Sequence, residues 1–327
     1  SPTPLPSPPP RHSPTPLPAP TPLPSPGRRL RDLMAQPGIL VMPGVFDGFS
    51  ARLVESLGFK AAGITGAGLS ETNLGWADVG LMGFEENLRS SAAIAACCGL
   101  ALNADADTGY GNAINAYFTV QGFERAGLAG IMIEDQVWPK RCGHMDGKQV
   151  ITAEEQVEKI RAACEARRDP DFVIRARTDS TAIHGVKDAI RRLNLYAEAG
   201  ADVLYADALR SVEDIALVAK EVTRPLAVNM GFGIRSRRTT PLMSARQLED
   251  LGVKVVSYPR LLTSAALQGM RNAMAVFMQS LEEGHVIERP DLQTSFEELN
   301  ALMGHARIKE LEARFVDSAR ELTRART

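Results

Sequence analysis

The segment DVLYADALRSVEDIALVAKEVTRPLAVNM (202–230) contains two short apolar runs separated by an amphipathic stretch. The runs DVLYAD and PLAVNM have the length and apolar character of buried strands, whereas VEDIALVAKEV repeats its apolar residues at helical spacing. A strand, a helix and a second strand in this order form the unit from which parallel sheets are built. The segment therefore predicts two parallel strands joined by a helix.

The same alternation runs through most of the chain and yields eight candidate strands. Helical stretches such as FSARLVESLG lie between them, several of them ended by a glycine. Eight strand–helix units in about 240 residues predict an α/β fold, a (β/α)8 TIM barrel with additional C-terminal helices. A doubly wound open sheet is the alternative, but PGVFDG after the first run is not the glycine-rich phosphate loop typical of that fold. The eight runs are ILVMPG (39–44), AAGITG (61–66), ALNADAD (101–107), GIMIED (130–135), FVIRART (172–178), DVLYAD (202–207), PLAVNM (225–230) and KVVSYP (254–259).

The two ends of the chain differ in composition from this central part. Residues 1–26 hold 13 of the 21 prolines. Because proline removes backbone donors, we expect a disordered, solvated, proline-rich tail over residues 1–27 and the barrel over 28–262. The helices predicted over 263–327 carry more apolar stripes than one closed barrel needs, so we expect this extension to pack between subunits.

The composition limits the classes of partner. The 37 basic and 39 acidic residues nearly cancel without a dense basic block, which argues against nucleic acid and favours a small-molecule ligand. No run approaches the roughly 18 apolar residues that a membrane helix needs. The four cysteines fit neither a disulfide framework nor a CxxC zinc site, which favours reduced thiols in a cytoplasmic protein. Targeting to an organelle stays open, since no acidic residue precedes Asp32.

Carboxylates follow the third and fourth candidate strands, at the end of the barrel where active sites lie. Asp105 and Asp107 stand two residues apart and hence on one face of the strand, and Glu134 and Asp135 end the next strand. Carboxylates that converge repel each other unless a cation or a proton intervenes, and oxygen ligands suit Mg²⁺ or Mn²⁺. Capping of the next helix is the alternative role for the aspartates.

The loop EDQVWPKRCGHMDGK (134–148) contains a cysteine in an electropositive setting. Cys142 is flanked by Lys140, Arg141 and His144, and cationic neighbours make a thiol suited to an acid, base or nucleophilic role. The spacing of Cys142 and His144 is too tight for a zinc pair without further ligands. The loop therefore argues against a zinc site and indicates a reactive cysteine, with an inert thiol as the alternative.

Polar residues also follow strands five to seven. Arg177 is suited to clamp a carboxylate with two hydrogen bonds, and a salt bridge to Asp179 or another carboxylate is the alternative. Asp207 closes the sixth strand and Asn229 closes the seventh. Because the carboxyl ends of all strands meet at one mouth, we expect these residues to face a common pocket.

Several phrases of the chain resemble one known superfamily. They are GITGAG, LGWADVG, DADTGYGN, IEDQVWPKRCGH, DFVIRARTDS and VNMGFG, together with the acid after strand six. Over roughly residues 29 to 317 they resemble the isocitrate lyase and phosphoenolpyruvate mutase superfamily. KRCGH is similar to the mobile catalytic loop of its carbon–carbon lyases, and ELEARFV is similar to the ending of carboxyphosphonoenolpyruvate phosphonomutase-like proteins.

The resemblance implies an activity. It points to a Mg²⁺-dependent lyase, with Mn²⁺ as a second option, that cleaves a small 2-hydroxy or 2-alkylmalate-type acid into an α-keto acid and a carboxylate. The first alternative is a carboxyphosphonoenolpyruvate-type phosphonomutase, which forms a carbon–phosphorus bond. The second is an inactive barrel that binds partners through its tail, against which the intact acids and Cys142 argue. The resemblance also implies a homotetramer with exchanged C-terminal helices.

Each matching residue takes an implied role from the resemblance. Asp207 stands where methylisocitrate lyases have glutamate, and Thr65 and Ala67 replace serine and glycine, so methylisocitrate and isocitrate are expected to be poor substrates. The implied roles are Mg²⁺ binding, directly or through water, by Asp105, Asp107 and Glu134 with Asp78 behind them; binding of a substrate carboxylate by the backbone of Thr65, Gly66 and Ala67; general acid catalysis by Cys142 with Lys140, Gly143 and His144 around it; binding of carboxylates and developing charge by Arg177 and Asn229; and a base or hydrogen-bond acceptor at Asp207.

Overall fold

Eight parallel strands close into a barrel in the computed structural model of the chain, which describes residues 24–143, 145, 147–231 and 240–324. Each strand pairs with the next one along the chain, and the last pairs with the first. The predicted (β/α)8 fold is confirmed, and each predicted run overlaps its strand to within two residues at either end. The strands are β1 (Leu40–Val45), β2 (Ala61–Ile64), β3 (Ala101–Asp105), β4 (Gly130–Glu134), β5 (Val173–Thr178), β6 (Val203–Ala206), β7 (Leu226–Asn229) and β8 (Val255–Tyr258).

Helices follow every strand and surround the barrel. Short polar side chains begin several of them: Asp47 Oδ1 accepts from Ser50 N at 2.7 Å, and Thr152 Oγ1 accepts from Glu155 N at 3.1 Å. π-helical turns, 70–74 and 312–317, follow the third and the thirteenth helix. The helices are α1 (Pro26–Ala35), α2 (Gly48–Ser56), α3 (Gly66–Leu69), α4 (Phe84–Cys97), α5 (Ala113–Arg125), α6 (Ala153–Ala166), α7 (Thr181–His184), α8 (Val186–Glu198), α9 (Val212–Glu221), α10 (Ala245–Asp250), α11 (Leu261–Glu283), α12 (Phe296–Leu302), α13 (His305–Leu311) and α14 (Ser318–Arg324).

The strands are buried on both faces, which explains why their sequences are continuously apolar rather than alternating. In β6, Val203 and Tyr205 pack inside the barrel, whereas Leu204 and Ala206 pack outward against the helices. The same alternation places every second residue of each strand in the interior. The residues that end the strands on that side therefore line the barrel mouth.

Helix α1 packs against the amino-terminal end of the barrel. Leu30 is buried in the interior cluster, and a Cβ built on Gly27 would lie 2.5 Å from Asp171 O. Because α1 begins at Pro26, the boundary predicted after residue 27 is too late by two residues. The rest of the predicted tail, residues 1–23, lies outside the described residues.

The C-terminal helices start two residues before the predicted boundary at 263, because α11 begins at Leu261. Helix α12 returns to the barrel, where Arg52 of α2 donates to Leu302 O at 3.3 Å. No residue of α11 is buried, and its exposed apolar residues are Leu267, Met270, Met274, Phe277, Met278 and Leu281. Among the described residues, every helix is too short or too polar to cross a bilayer.

Candidate active site

Arg177 lies at the centre of the charged groups at the barrel mouth. Its guanidinium is 3.2 Å from Glu134 Oε2 (Nη1), 2.8 Å from Asp179 Oδ2 (Nε) and 3.2 Å from Asp207 Oδ2 (Nη2). Burial alone would lower the Arg177 pKa, but these carboxylates raise it well above its usual range. Arg177 therefore stays charged. It forms the ion pair with Asp179 that the sequence offered as the alternative to binding a substrate carboxylate, and its guanidinium also faces the mouth.

Asp207 is held from three sides at the end of β6. Besides Arg177, Lys148 Nζ lies 3.5 Å from Asp207 Oδ2, and the Tyr205 hydroxyl donates to Asp207 Oδ1. Burial raises the Tyr205 pKa well above its usual value, and the Asp207 charge raises it further. Tyr205 therefore remains a hydrogen-bond donor that keeps the Asp207 carboxylate in place.

Lys140 joins two of the predicted metal residues. Its ammonium lies 2.5 Å from Asp78 Oδ1 and 2.8 Å from Asp107 Oδ1, with 3% of the lysine side chain exposed. Burial raises the Asp107 pKa to about 7, Lys140 opposes this rise, and Asp105 and Asp78 add to it. Burial would lower the Lys140 pKa, but Asp107, Glu134 and the neighbouring acids raise it well above its usual value. In this conformation the lysine is the cation between the two acids.

Asp105 and Glu134 are the mouth carboxylates that no lysine binds directly. Asp105 Oδ1 accepts from Asp107 N at 3.1 Å. Glu134 is 1% exposed, and apart from its ion pair with Arg177 neither of its oxygens has a hydrogen-bond partner among the described residues. Burial raises the Glu134 pKa well above its usual value although Arg177 opposes the rise. A buried carboxylate in this state is stabilised by a proton or by a cation.

The carboxylate oxygens at the mouth are of the type that binds a hard divalent cation. Oxygen ligands are those that Mg²⁺ prefers, and the carboxylate of Glu134, whose oxygens accept no hydrogen bond among the described residues, lies one strand away from Asp105. Within the described residues, however, no three His, Cys, Asp or Glu side chains gather closely enough to hold a metal among themselves. A metal at this mouth therefore needs water molecules or substrate oxygens to complete its shell. Capping is not the role of the aspartates, because Asn112 caps α5.

The segment Thr65–Gly66–Ala67 begins α3 directly after β2. Thr65 Oγ1 accepts from Gly68 N at 3.2 Å and caps the helix. A Cβ built on Gly66 would lie 2.9 Å from Asp105 Oδ2, so only glycine leaves this carboxylate its place. The backbone predicted to hold a substrate carboxylate thus lies beside a predicted metal ligand.

The cysteine loop is attached to the mouth at several points. Cys142 N donates to Asp78 O at 3.0 Å, and Lys148 Nζ donates to Gly143 O at 2.6 Å. A Cβ built on Gly143 would overlap Asp207 Oδ2, so the loop and β6 approach as closely as glycine allows. The loop thus lies over the mouth, and the partly buried Cys142 is brought to the other predicted residues.

Two further residues that the sequence predicts at the site are His144 and Asn229. His144 lies outside the described residues. Asn229 ends β7 at the mouth, paired in register with Ser257 of β8. Its place agrees with the prediction that strand-end residues share one pocket.

Three residues that sequence reasoning did not select also lie at the mouth. Asp179 accepts from Arg177 and from Lys148, which binds Asp179 Oδ1 at 3.0 Å. Arg260, just after β8, places Nη2 3.7 Å from Cys142 Sγ. The signal for Lys148 is its position in the same loop as Cys142. The signal for Arg260 is its position just after a predicted strand, where residues line the barrel mouth.

A closed (β/α)8 barrel with buried carboxylates, cations and a cysteine at its carboxyl-terminal mouth has the arrangement of the active site of a barrel enzyme. The chain belongs to the phosphoenolpyruvate mutase family, within the superfamily that includes the isocitrate lyases. The family model described as phosphoenolpyruvate phosphomutase matches residues 30–278.

Named relatives cover most of the chain. It is 37% identical over 284 residues to 2,3-dimethylmalate lyase of Eubacterium barkeri, covering 87% of this chain and 96% of the relative. It is 38% identical over 292 residues to the chloroplastic carboxyvinyl-carboxyphosphonate phosphorylmutase of Arabidopsis thaliana, covering 88% and 84%. Among solved structures, a phosphonopyruvate hydrolase in complex with oxalate and Mg²⁺ superposes with a TM-score of 0.78 at 27% identity, covering 89% of this chain and 99% of the other.

Proposed function

We propose that the protein is a Mg²⁺-dependent carbon–carbon lyase that cleaves a 2-hydroxy acid of the 2-alkylmalate type into an α-keto acid and a carboxylate. One observation carries the proposal: the Cys142 loop lies over the mouth, with Gly143 directly against Asp207 and Arg177. This contact holds the loop that carries the Cys142 thiol, a potential proton donor, against a cation that can bind a carboxylate. The 37% identity to a 2,3-dimethylmalate lyase supports the same reaction class.

Asp105 and Glu134 are the residues that would hold the metal, with Asp107 and Asp78 reached through water. The oxygen-only donor set supports this assignment, as does the Glu134 carboxylate, whose oxygens accept no hydrogen bond among the described residues. When bound, Mg²⁺ would supply a Lewis acid that polarises the substrate oxygens. Lys140 remains between Asp78 and Asp107 and balances their charge.

The reaction follows from the residues around the pocket. The backbone at Thr65–Ala67 binds one substrate carboxylate, and Arg177 binds the carboxylate on the carbon that will leave. Asp207, held by Tyr205 and Lys148, is placed to accept the hydroxyl proton. As the O–H bond breaks, its electron pair forms the keto C=O bond and the adjacent C–C bond breaks. The electron pair of that bond becomes an enolate on the leaving carboxylate, which Arg177 stabilises.

Cys142 completes the reaction by giving its S–H proton to the enolate carbon. The sulfur keeps the electron pair, so no oxidant or reductant is needed. With the loop held against Asp207, water has little access to the enolate, which favours protonation by the thiol. The thiolate then recovers a proton before the next turnover.

The test uses 2,3-dimethylmalate, whose cleavage between C2 and C3 gives pyruvate and propionate. Pyruvate release is measured with and without EDTA, and for Cys142→Ala beside the matched control Cys97→Ala, whose Sγ lies 3.2 Å from Ile94 O, outside the mouth. We expect EDTA to abolish turnover, and Cys142→Ala to lower kcat by about 10²-fold or more while Cys97→Ala stays within twofold. Full activity of metal-free protein, or of Cys142→Ala, would refute the proposal. A screen of related 2-hydroxy acids then ranks the substrates.

A phosphonomutase is the second candidate, because the 38% identity to the carboxyvinyl-carboxyphosphonate phosphorylmutase is as high as that to the lyase. Such an enzyme forms a carbon–phosphorus bond, which gives a distinct ³¹P NMR signal. Incubation with carboxyphosphonoenolpyruvate separates the two candidates. A phosphonate signal without 2-hydroxy acid cleavage would replace the lyase assignment.

Assembly and location are part of the same proposal. The unburied apolar residues of α11 are suited to contacts between subunits, and we propose a homotetramer. Light scattering at micromolar concentration that gives a monomer would contradict it. The four free cysteines agree with a cytoplasmic location, which fractionation of the source cells tests.

A further inference from the structure

Arg260 reaches from the end of β8 to the cysteine loop. It directly precedes the first residue of α11, and its guanidinium lies 2.6 Å from Glu71 Oε1 (Nη1) and 3.7 Å from Cys142 Sγ (Nη2). Burial would lower the Arg260 pKa, whereas Cys142 and Glu71 raise it above its usual value. Three segments of the mouth, after β2, β4 and β8, thus meet at one guanidinium.

The main chain of Cys142 is held by the segment after β2, and its thiol is held by Arg260, which pairs with the same segment. Cys142 N donates to Asp78 O, in the segment that follows β2, and Glu71 belongs to that segment as well. Arg260 therefore fixes the sulfur relative to the segment that already fixes the loop backbone. Among the described residues, the charged group that contacts the Cys142 sulfur is the Arg260 guanidinium.

We propose that Arg260 is a positioning residue for proton delivery by Cys142, with Glu71 as the group that orients it. Because the guanidinium donates to one side of the sulfur, the S–H bond is directed away from Arg260 and toward the pocket. The same cation stabilises the negative charge that develops on the sulfur as the proton moves to the enolate carbon. This inference rests on the proposed role of Cys142 as the general acid.

The alternative is an ordinary surface ion pair that happens to pass the sulfur. The side chains of Arg260 and Glu71 are 30% and 34% exposed, and pairs of that exposure contribute little to stability. A pair of this kind would leave kcat and the reactivity of the thiol unchanged when it is removed. The two interpretations therefore differ in what they predict for the sulfur itself.

The experiment compares Arg260→Met, Arg260→Lys and Glu71→Gln in the full chain with bound Mg²⁺. Arg31→Met is the matched control, because Arg31 is 29% exposed and pairs with Asp202 at 2.9 Å, away from the mouth. The measurements are kcat, KM and the rate at which iodoacetamide alkylates Cys142 at one fixed pH, followed by mass spectrometry of the Cys142 peptide. The alkylation rate reports the thiol directly and does not require turnover.

We expect Arg260→Met to lower kcat and the alkylation rate by about tenfold with KM within twofold, since a charge-assisted hydrogen bond is lost. Arg260→Lys should restore part of both, because the charge returns without the planar fork. Glu71→Gln should lower the alkylation rate by less than Arg260→Met does, because the amide still accepts a hydrogen bond from the guanidinium but no longer orients it with a charge.

Alkylation and kcat within twofold of the parent in Arg260→Met would overturn the inference, as would an equal loss in Arg31→Met. If Arg260→Met does not fold, an unchanged alkylation rate in Glu71→Gln overturns it instead. Failure of the proposed function looks different, since Cys142→Ala would then keep its kcat. Unchanged alkylation in Arg260→Met with an inactive Cys142→Ala refutes this inference alone.

Discussion

Arg175 and Arg177 lie two residues apart on β5 and point into the same barrel, yet their surroundings are opposite. Arg177 pairs with three carboxylates. Arg175 is 6% exposed, its Nε has no hydrogen-bond partner among the described residues, and its Nη2 lies 3.7 Å from Met42 Sδ. Burial lowers the Arg175 pKa to about 10, with Tyr205 and Asp105 opposing the fall. We therefore expect Arg175→Met to stabilise the fold and Arg177→Met to destabilise it.

The magnitudes follow from these surroundings. A pKa that falls from 12.5 to about 10 means that keeping the Arg175 charge buried costs about 3 kcal/mol. Methionine removes that cost and packs beside Met42, so we expect a gain of about 2 kcal/mol, or a Tm about 4–8 °C higher. Arg177→Met leaves Glu134, Asp179 and Asp207 without their shared cation and should cost about 3–5 kcal/mol.

Urea denaturation and calorimetry of the parent and both variants measure these differences. Equal slopes of unfolding free energy against urea are required, so that the comparison concerns stability rather than a changed unfolded state. A Tm of Arg175→Met more than 2 °C below that of the parent would refute the reasoning, because it would show that the guanidinium has a partner. A parental Tm in Arg177→Met would refute the other half.

Three further predictions concern the mouth. In chelator-treated protein, burial raises the Asp107 pKa to about 7 against an ordinary 3.8, although Lys140 opposes the rise. Because the folded chain binds this proton more tightly than the unfolded chain, the stability of the parent should decline as the pH rises from about 4 to about 7, and urea denaturation should show a smaller decline in Asp107→Asn. Lys148→Met should destabilise by about 1.5–3 kcal/mol and speed hydrogen exchange around Gly143, because Asp179 loses its buried ammonium and keeps Arg177 as its cation. Asp207→Glu should lower kcat on the preferred substrate, measured as pyruvate release, because the longer side chain must displace Gly143.

Much of this architecture follows from periodicity and from the rule that polar residues at strand ends share the mouth. All eight strands were predictable because each is a short apolar run that alternates with a stretch of helical periodicity. The same rule brought together Asp105, Glu134, Arg177 and Asp207. Arg260 directly follows Pro259, the last residue of the eighth run, and so lies one residue beyond the strand-end positions that the rule covers.

The role of Lys140 shows what residue order does not determine. Sequence placed it in the cysteine loop and, by resemblance, near the substrate. In the structure its ammonium lies between Asp78 and Asp107, two acids that precede it by 62 and 33 positions. Nothing in local spacing predicts that distance relation, because it depends on how the loop after β4 folds back over the loop after β2.

The contact between Gly143 and Asp207 also limits which substrates fit under the Cys142 loop. An aspartate side chain is one methylene shorter than the glutamate of the methylisocitrate lyases, and this alone would leave more room for the distal group of a substrate. The structure adds a second consequence, because a Cβ at position 143 would already overlap Asp207 Oδ2 and a longer acid would push the loop outward. Asp207 thus allows the Cys142 loop to lie close, at the expense of space above the mouth. A lyase with that geometry should favour a compact malate with small alkyl groups over a tricarboxylate, because the loop must close over whatever the substrate carries at its distal end.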